Sequence, residues 1–236
     1  MNEQGGADPL PLGALLHSGG ALFQAIDPPI VLLIGGATGT GKSGVATEVA
    51  YRLGITRVTS TDFVRQTIRA FFPADEMPSV HYSSFEAAAA GVAPETGDPS
   101  LDGFLDQTRQ VLVGVEASVE RALTEGWSMV IEGIHLVPGL APARIAGATV
   151  VHVVLHIEDE HVHRMHFHVR DSVTGGVRAM DKYLSRLAEI RTIQDALVEA
   201  AGRHGVVVIE SSNRVRATAE VIDLVRSAAE RAARVL

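Results

Sequence analysis

The sequence predicts an α/β fold in three layers, with a mostly parallel five-stranded sheet between two layers of helices. One observation is a set of five short apolar runs, the first of which is rich in β-branched residues and bounded by prolines and glycines. A second is that segments with apolar residues at helical spacing separate these runs. Strands that alternate with helices favour a parallel sheet that is covered on both faces.

The predicted strands are, in chain order, PIVLLIG, TRVTS, WSMVIEGIHL, ATVVHVVLHI and GVVVIES. A helix is predicted at SGVATEVAYRLG, where Gly54 is a C-cap signal. Further amphipathic helices are predicted at FLDQTRQVLVGVEASVERALTEG and ATAEVIDLVRSAAERAARVL. The segment KYLSRLAEIRTIQDALVEAAGRHG predicts one long helix with a single apolar face made of Leu184, Leu187, Ile190, Ile193 and Leu197.

The sequence predicts that the chain has two parts. Residues 1–29 predict an N-terminal extension with one external helix at ALLHSGGALFQAI, and residues 30–236 predict one α/β domain. Residues 73–100 are the least regular stretch, which is typical either of disorder or of an insertion that faces a substrate.

The composition narrows the class of protein. The 236 residues are 46% hydrophobic and 20% charged, which is ordinary for a globular chain. The absence of cysteine excludes disulfides, thiolate metal sites and a cysteine nucleophile. The N-terminus has no signal-peptide pattern and no apolar run is long enough for a bilayer. A formal net charge of −8 argues against nucleic-acid binding. We therefore expect a cytoplasmic protein without membrane or nucleic-acid partners, as a monomer or a homodimer.

A glycine-rich loop follows the first predicted strand and matches the pattern G-x-x-x-x-G-K-[ST] at every fixed position. Its residues are Gly36, Ala37, Thr38, Gly39, Thr40, Gly41, Lys42 and Ser43, with Gly44 next. Glycines let amide N–H groups face an anion, and the N-terminus of a helix adds partial positive charge. We expect Lys42 to reach the β- and γ-phosphates and Ser43 to ligate Mg²⁺. The fold is thus predicted to be a P-loop NTPase-type sandwich that binds a nucleoside triphosphate.

Charged residues follow the second strand, where ligands of parallel sheets bind. Asp62 is positioned to face the γ-phosphate, and Arg65 and Arg69 are spaced i, i+4 on the next helix. One interpretation is a carboxylate that orients a hydroxyl, beside two arginines that hold an anionic acceptor. The other is a helix N-cap at Asp62 or Thr61 followed by a solvated basic face. Spacing alone does not separate the two.

The third strand ends near Glu132 and His135. A carboxylate at this point often assists Mg²⁺, directly or through water, although aspartate is the commoner residue. We therefore expect Glu132 to act on the metal. His135 is within reach of the same site, but by itself it is more typical of a hydrogen-bonded histidine at the mouth of the sheet.

A histidine- and arginine-rich segment follows the fourth strand. The histidines are His161, His163, His166 and His168, and the cations are Arg164, Arg170, Arg178, Lys182 and Arg186. A metal cluster is the weaker interpretation, because no H-E-x-x-H pattern is present and a Mg²⁺–nucleotide site prefers oxygen ligands. The stronger one is a basic, glycine-interrupted lid that neutralises phosphate charge and excludes water. A solvated charged helix is the alternative for several of these residues.

The chain resembles the kinase domain of 2-phosphoglycerate kinases over about residues 30 to 212. The resemblance lies in IGGATGTGKSGVATEVAYRLGITRVTSTDFVRQTIR, YSSFEA, GFLDQTRQVLVGVEA, VIEGIHLVPG, HFHVR and KYLSRLAEIRTIQDALVEAA. The glycine loop is common to many kinases, whereas E-G-x-H-L-x-P-G and I-R-x-I-Q look specific to this group. The resemblance implies ATP-dependent phosphorylation of 2-phosphoglycerate to 2,3-bisphosphoglycerate. Archaeal members often carry an N-terminal ATP-cone domain, for which we expect no room here.

These considerations assign roles to specific residues. We expect catalytic roles for Lys42, Asp62, Arg164 and Arg170, with ATP and Mg²⁺ as cofactors and Ser43 and Glu132 as metal ligands. Contacts to a small anionic acceptor are expected from Asp62, Arg65, Arg69, Glu132, His135 and Lys182. Two alternatives remain open, namely a kinase for another small hydroxy acid or alcohol, and a nucleotide-dependent switch that has no metabolite acceptor.

Overall fold

The computed structural model describes residues 26–174 and 180–234, without the side chains of 169–174. The helix expected at ALLHSGGALFQAI lies almost entirely outside these residues, so it stays a prediction. The boundary expected between residues 29 and 30 stays one too, although the first described strand does begin at Ile30.

The sheet has five strands, and every pairing between them is parallel. The strands are β1 (Ile30–Gly36), β2 (Arg57–Ser60), β3 (Met129–Glu132), β4 (Thr149–His156) and β5 (Val207–Glu210). Their order in space is β2-β3-β1-β4-β5. Each strand coincides with one of the five predicted runs, apart from β1, which continues one residue beyond its run to Gly36, so the fold class is confirmed.

Helices cover both faces of the sheet. They are α1 (Lys42–Leu53), α2 (Thr61–Phe71), α3 (Pro99–Thr124), α4 (Glu160–Thr174), α5 (Met180–Leu184), α6 (Leu187–His204) and α7 (Arg214–Ala233). The central strand shows the layering, because its alternate residues point to opposite faces. Ile30, Leu32 and Ile34 pack in one apolar cluster with α1 and α7. Val31 and Leu33 pack in another with α3.

The prediction of one long helix from residue 182 to 205 is wrong. The chain leaves helical geometry after Leu184 and α6 begins at Leu187. At the break the amide of Arg186 bonds to the carbonyl of Tyr183, three residues back. The break turns α5 so that Tyr183 stacks on Phe167 of α4. A tertiary contact therefore overrides the helical periodicity of the sequence.

The irregular stretch from residue 73 to 100 contains two short 3₁₀ helices, Pro78–His81 and Ser84–Ala90, before α3 begins at Pro99. The second of them packs closely on α3. A side chain at Gly103 would come within 2.7 Å of the backbone nitrogen of Ala88, so the residue without a Cβ permits this approach. This stretch is therefore an ordered insertion packed on α3, and its expected role in facing a substrate stays a prediction.

None of the helices in the described ranges is both long enough and apolar enough to cross a bilayer.

Candidate active site

Several of the predicted site residues lie at the carboxyl ends of three neighbouring strands. Glu132, the last residue of β3, is in register with Ile34 of β1 on one side and with Ser60 of β2 on the other. The glycine loop leaves β1, and α2 leaves β2, at this same edge of the sheet. Because the strands are parallel, residues far apart in sequence meet here.

The glycine loop requires its glycines at two positions in particular. Gly39 has φ 91°, and a Cβ there would come within 2.6 Å of Phe167 and 2.9 Å of His163 Nε2. Gly41 is the N-cap of α1 with φ 81°, in the left-handed region that other residues rarely adopt. The loop therefore lies tightly under α4 and turns directly into α1.

The carbonyl groups of the loop are held by partners along its whole length. The oxygens of residues 37–41 accept hydrogen bonds, in order, from Lys42 and Thr40, His163, His166, Ser211 and the amide of Val45. Apart from the amide of Thr40, which donates to Ala37 O at 3.4 Å, the loop amides are not used in these contacts and can face an anion at the N-terminus of α1. This donor set fits the phosphates of a nucleotide.

Lys42 folds back over the loop, and its Nζ donates to Ala37 O at 2.6 Å. Burial lowers the pKa of the ammonium group, and the negative charges of Glu132 and Asp62 oppose that effect. The two carboxylates thus favour the charged lysine that phosphate binding needs. Lys42, Asp62 and Glu132 form one electrostatic unit.

Ser43 and Glu132 are joined directly, as Ser43 Oγ donates to Glu132 Oε1 at 2.9 Å. Glu132 is buried, with 8% of its surface exposed. A hydroxyl and one carboxylate fit Mg²⁺, which usually keeps several waters and takes few protein ligands. Within the described part of the chain no group of three or more histidine, aspartate or glutamate residues could hold a metal ion by itself.

The structure separates the two arginines that follow Asp62. Arg65 is buried; its Nη1 donates to the carbonyls of Val80 and Tyr82 at 2.9 and 3.0 Å, and its Nε approaches Asp62 Oδ1 at 3.4 Å. Arg69 is exposed. Both arginines lie on α2, as expected, but Arg65 already donates to the backbone of the insertion, and a joint contact of the two with an acceptor stays a prediction.

The interpretation of a helix N-cap at Asp62 or Thr61 is corrected as well. The N-cap of α2 is Ser60, whose Oγ accepts from the amide of Asp62 at 3.2 Å. The carboxylate of Asp62 is thus not used as a cap and remains exposed at the mouth of the site.

His135 belongs to a buried polar chain. Its Nδ1 lies 2.8 Å from Thr61 Oγ1, and its Nε2 lies 2.9 Å from Gln107 Oε1. The amide nitrogen of Gln107 donates to the carbonyls of Ser79 and Tyr82, so its oxygen faces the ring. His135 is therefore the Nε2–H tautomer, and Thr61 donates to Nδ1. Burial lowers the pKa of His135 to about 3, so the ring is neutral.

The expected lid residues fall into three groups. Arg164 is paired with Glu160 on its own helix at 3.2 Å. Lys182 Nζ contacts Glu86 Oε2 at 2.8 Å and Ser83 Oγ at 3.3 Å, which fastens α5 to the second 3₁₀ helix. The side chain of Arg170 and all of Arg178 lie outside the described residues. None of the described lid cations touches the glycine loop directly.

The histidines expected in the lid contact protein carbonyls. His163 and His166 donate to Thr38 O and Gly39 O at 2.8 and 3.1 Å. His161 is exposed and His168 half-buried. The preference for a polar element over a metal cluster agrees with this placement.

A separate cavity of about 390 Å³ lies between α3 and α6. Its lining includes Phe104, Arg109, Val137, Leu140, Leu197 and Arg203. It shares no residue with the glycine loop and so is not part of the nucleotide site.

No family model matches the chain. Several curated relatives do match it. A 2-phosphoglycerate kinase of Methanopyrus kandleri is 37% identical over 202 residues, which cover 85% of this chain and 62% of that protein. A 2-phosphoglycerate kinase of Methanothermobacter thermautotrophicus is 40% identical over 199 residues, covering 82% of this chain and 64% of that protein. The chain is homologous to the 2-phosphoglycerate kinases. The resemblance expected from the sequence motifs is thus confirmed.

The chain spans just over three fifths of the length of these 2-phosphoglycerate kinases. Among solved structures, a gluconokinase from Sinorhizobium meliloti 1021 covers 87% of this chain and 94% of its own, at 17% identity and a TM-score of 0.45. At this sequence identity and TM-score, the structural likeness carries no information about the site.

In this homologue of the 2-phosphoglycerate kinases, four residues that support the site were not predicted from the sequence. Gln107 orients His135, and Ser211 donates to Thr40 O at 2.8 Å. Gln194 bonds both the amide and the carbonyl of Ile157, and Arg191 donates to the carbonyl of Glu158. The available signal was a polar residue on the apolar face of a helix, since Gln107 and Gln194 are both fully or almost fully buried.

Proposed function

We propose that the chain is an ATP-dependent kinase that transfers the γ-phosphoryl group of ATP to the hydroxyl of a small anionic metabolite, namely 2-phosphoglycerate, to give 2,3-bisphosphoglycerate. The observation that carries the nucleotide half is the glycine loop with its carbonyls held and Lys42 above it. The acceptor half rests on the homology to 2-phosphoglycerate kinases.

The residues have distinct roles in this proposal. The loop amides and Lys42 bind the phosphates, and Ser43 with Glu132 would hold Mg²⁺, which would neutralise phosphate charge. Asp62 lies exposed at the mouth of the site, where its carboxylate accepts the proton of the acceptor hydroxyl. The hydroxyl oxygen forms the new bond to the γ-phosphorus, the bond to the β,γ-bridging oxygen breaks, and ADP leaves.

Recognition of the acceptor is assigned to the surface between α2, the insertion and α5. Arg69 is the exposed guanidinium on α2 and Lys182 is the cation on α5. Arg65 and the chain Thr61–His135–Gln107 shape the wall, because they hold the carbonyls of residues 79, 80 and 82. The cations supply the charge that an acceptor with a carboxylate and a phosphate requires.

Purified protein with ATP, Mg²⁺ and a panel of hydroxy acids and alcohols tests the proposal, with products identified by mass spectrometry and ³¹P NMR. A bisphosphate product from 2-phosphoglycerate supports it. Another phosphorylated metabolite keeps the kinase and changes the acceptor. Slow ATP hydrolysis with every acceptor, unchanged by Asp62→Asn, favours a nucleotide-dependent switch.

The setting of the activity belongs to the same proposal. The lack of cysteine suits a reducing cytoplasm, and the net charge of −8 does not suit nucleic acid. Fractionation of the native host and size-exclusion chromatography, which separates a monomer from a homodimer, test these two points.

A further inference from the structure

Helix α4 lies against the glycine loop, and two of its histidines bind successive loop carbonyls. His163 Nε2 lies 2.8 Å from Thr38 O, and His166 Nδ1 lies 3.1 Å from Gly39 O. Because a carbonyl oxygen only accepts, each ring carries its N–H at the contacting nitrogen. One turn of α4 therefore donates hydrogen bonds to two neighbouring peptide groups of the loop.

The burial of His163 indicates which interaction requires a histidine at this position. The residue is fully buried, and with its proton on Nε2 its Nδ1 has no hydrogen-bond partner among the described residues. A buried polar atom without a partner destabilises the fold, a cost that an apolar residue would avoid. The donor to Thr38 O is the contact that only a polar side chain supplies at this position.

An aromatic column continues from His163 away from the loop. The column consists of His163, Phe167, Tyr183 and Phe85. His163 stacks on Phe167 at 5.5 Å between ring centroids, Phe167 on Tyr183 at 5.2 Å, and Tyr183 meets Phe85 at 5.7 Å. The column crosses from α4 through α5 to the second 3₁₀ helix, on the side assigned to the acceptor.

The two ends of the column are both anchored. At one end Gly39 lies so close under Phe167 and His163 that a Cβ would overlap with both rings. At the other end the ion pair of Lys182 with Glu86 joins α5 to the 3₁₀ helix beside Phe85. A shift of α5 therefore has to move the rings that hold the loop, because packed side chains transmit displacement.

We propose that His163 and His166 are positioning residues for nucleotide binding. Through the aromatic column, their hydrogen bonds to the loop depend on how α5 packs against the second 3₁₀ helix, Ser84–Ala90, on the side assigned to the acceptor. The inference rests on the proposed function, since the anion at the loop amides is taken to be the nucleotide phosphate. It adds that Phe85, three ring contacts from the loop, controls affinity for the nucleotide.

The first experiment measures the affinity of the full chain for ATP with Mg²⁺, without acceptor, by isothermal titration calorimetry. His163→Leu and His166→Leu remove the donors, whereas His163→Gln and His166→Asn keep an amide N–H near Nε2 and Nδ1. We expect each leucine variant to bind ATP about fivefold or more weakly, as for one lost hydrogen bond. The amide variants recover most of the affinity. His161→Leu, an exposed histidine of the same helix, is the control and stays within about twofold of wild type.

The second experiment tests the column with Phe85→Leu and, as control, Phe104→Leu. Both phenylalanines are buried in one apolar cluster, but Phe104 is outside the column. Amide hydrogen exchange of residues 38–41 is measured in the protein without ligand, together with affinity for ATP. We expect Phe85→Leu to speed exchange at the loop and weaken binding. Phe104→Leu lowers the melting temperature and leaves both quantities unchanged.

The outcomes separate the inference from the proposed function. If wild-type protein binds no ATP, the proposed function fails and the inference fails with it. If wild type binds ATP and the leucine variants at positions 163 and 166 bind it equally well, only the positioning role is overturned. Equal loop exchange in Phe85→Leu and wild type overturns the role of the column. If His163→Leu does not fold, the ATP affinities of His166→Leu and His166→Asn test the positioning role, because His166 is only half-buried.

Discussion

Ser43 Oγ donates a 2.9 Å hydrogen bond to Glu132 Oε1, which ties the first turn of α1 to the last residue of β3. The contact exists because β3 pairs directly with β1, with Glu132 opposite Ile34. It brings together the two oxygen ligands that the sequence assigns to Mg²⁺. The proposed Mg²⁺ site thus spans two adjacent strands.

Removal of either ligand is expected to raise the requirement for Mg²⁺. For Glu132→Gln we expect the Mg²⁺ concentration at half-maximal activity to rise by about tenfold or more, since the amide lacks the negative charge. Ser43→Ala is expected to raise this Mg²⁺ concentration as well. Titration of activity with Mg²⁺ after treatment with EDTA measures the effect. Thr47→Ala, which deletes a hydroxyl on the exposed side of α1, serves as control; an equal shift in it would remove the assignment.

Lys42→Ala is expected to abolish phosphoryl transfer with the fold intact. The lysine sits between the loop and the carboxylates of Glu132 and Asp62, so its loss removes the charge that faces the transferring group. One preorganised electrostatic group is worth about 3 kcal/mol, or roughly a hundredfold in turnover. Circular dichroism and steady-state kinetics are compared with Arg52→Ala, a surface cation of the same helix. Turnover within about threefold of wild type contradicts the role.

Asp62→Asn is expected to lower turnover far more than affinity for ATP. The carboxylate is exposed at the mouth of the site and is not used as the helix cap, so it is available to the acceptor hydroxyl. A group that acts on the attacking hydroxyl stabilises the transition state and not the bound nucleotide. Kinetic measurement of turnover is combined with calorimetric measurement of ATP binding. Weaker binding with unchanged turnover would move Asp62 to the nucleotide site.

Arg65→Lys and Arg69→Lys are expected to differ. At position 65 one ammonium group cannot replace the fork that binds Val80, Tyr82 and Asp62, so stability falls by about 1–3 kcal/mol and the acceptor KM rises. At position 69 stability changes by less than about 0.5 kcal/mol, and the acceptor KM alone rises. Urea denaturation and kinetics with each substrate varied in turn separate the two. Wild-type acceptor kinetics in Arg69→Lys removes it from the acceptor site.

The stability of the fold is expected to fall on acidification because of His135. The folded pKa is lowered to about 3, whereas the unfolded side chain titrates near 6.5. Between these values the unfolded state binds a proton that the folded state excludes. The free energy of unfolding therefore falls by up to about 1.4 kcal/mol per pH unit as the pH drops, and the contribution is complete above about pH 6.5.

Urea denaturation at pH 7, 6 and 5 measures this dependence. His135→Gln lacks the titrating ring, so it should be less stable at pH 7 but show a shallower loss towards pH 5. His161→Gln, at an exposed position, should keep the wild-type slope. Parallel slopes for wild type and His135→Gln would exclude the buried neutral histidine as the source.

The sequence by itself determined the sheet, its parallel direction and the place of the nucleotide loop. Each of these depends on short-range information. β-Branched apolar runs form buried strands, and the run from Gly36 to Ser43 has the glycines that its backbone angles require. The end of α1 at Gly54, with φ 67°, follows in the same way from one residue. At these positions local conformational preference was enough.

The tertiary structure decided which side chains face the site. Arg65 and Arg69 are the same residue type on one helix, yet Arg65 is buried against the carbonyls of Val80 and Tyr82 in the insertion, whereas Arg69 is exposed. The chain between α5 and α6 continues a helical pattern, yet it breaks because Tyr183 gains a ring to stack on. Gln107 reaches His135 only across 28 residues of chain. Such contacts depend on how packed elements meet in space, and helical or strand periodicity within one segment carries no information about that meeting.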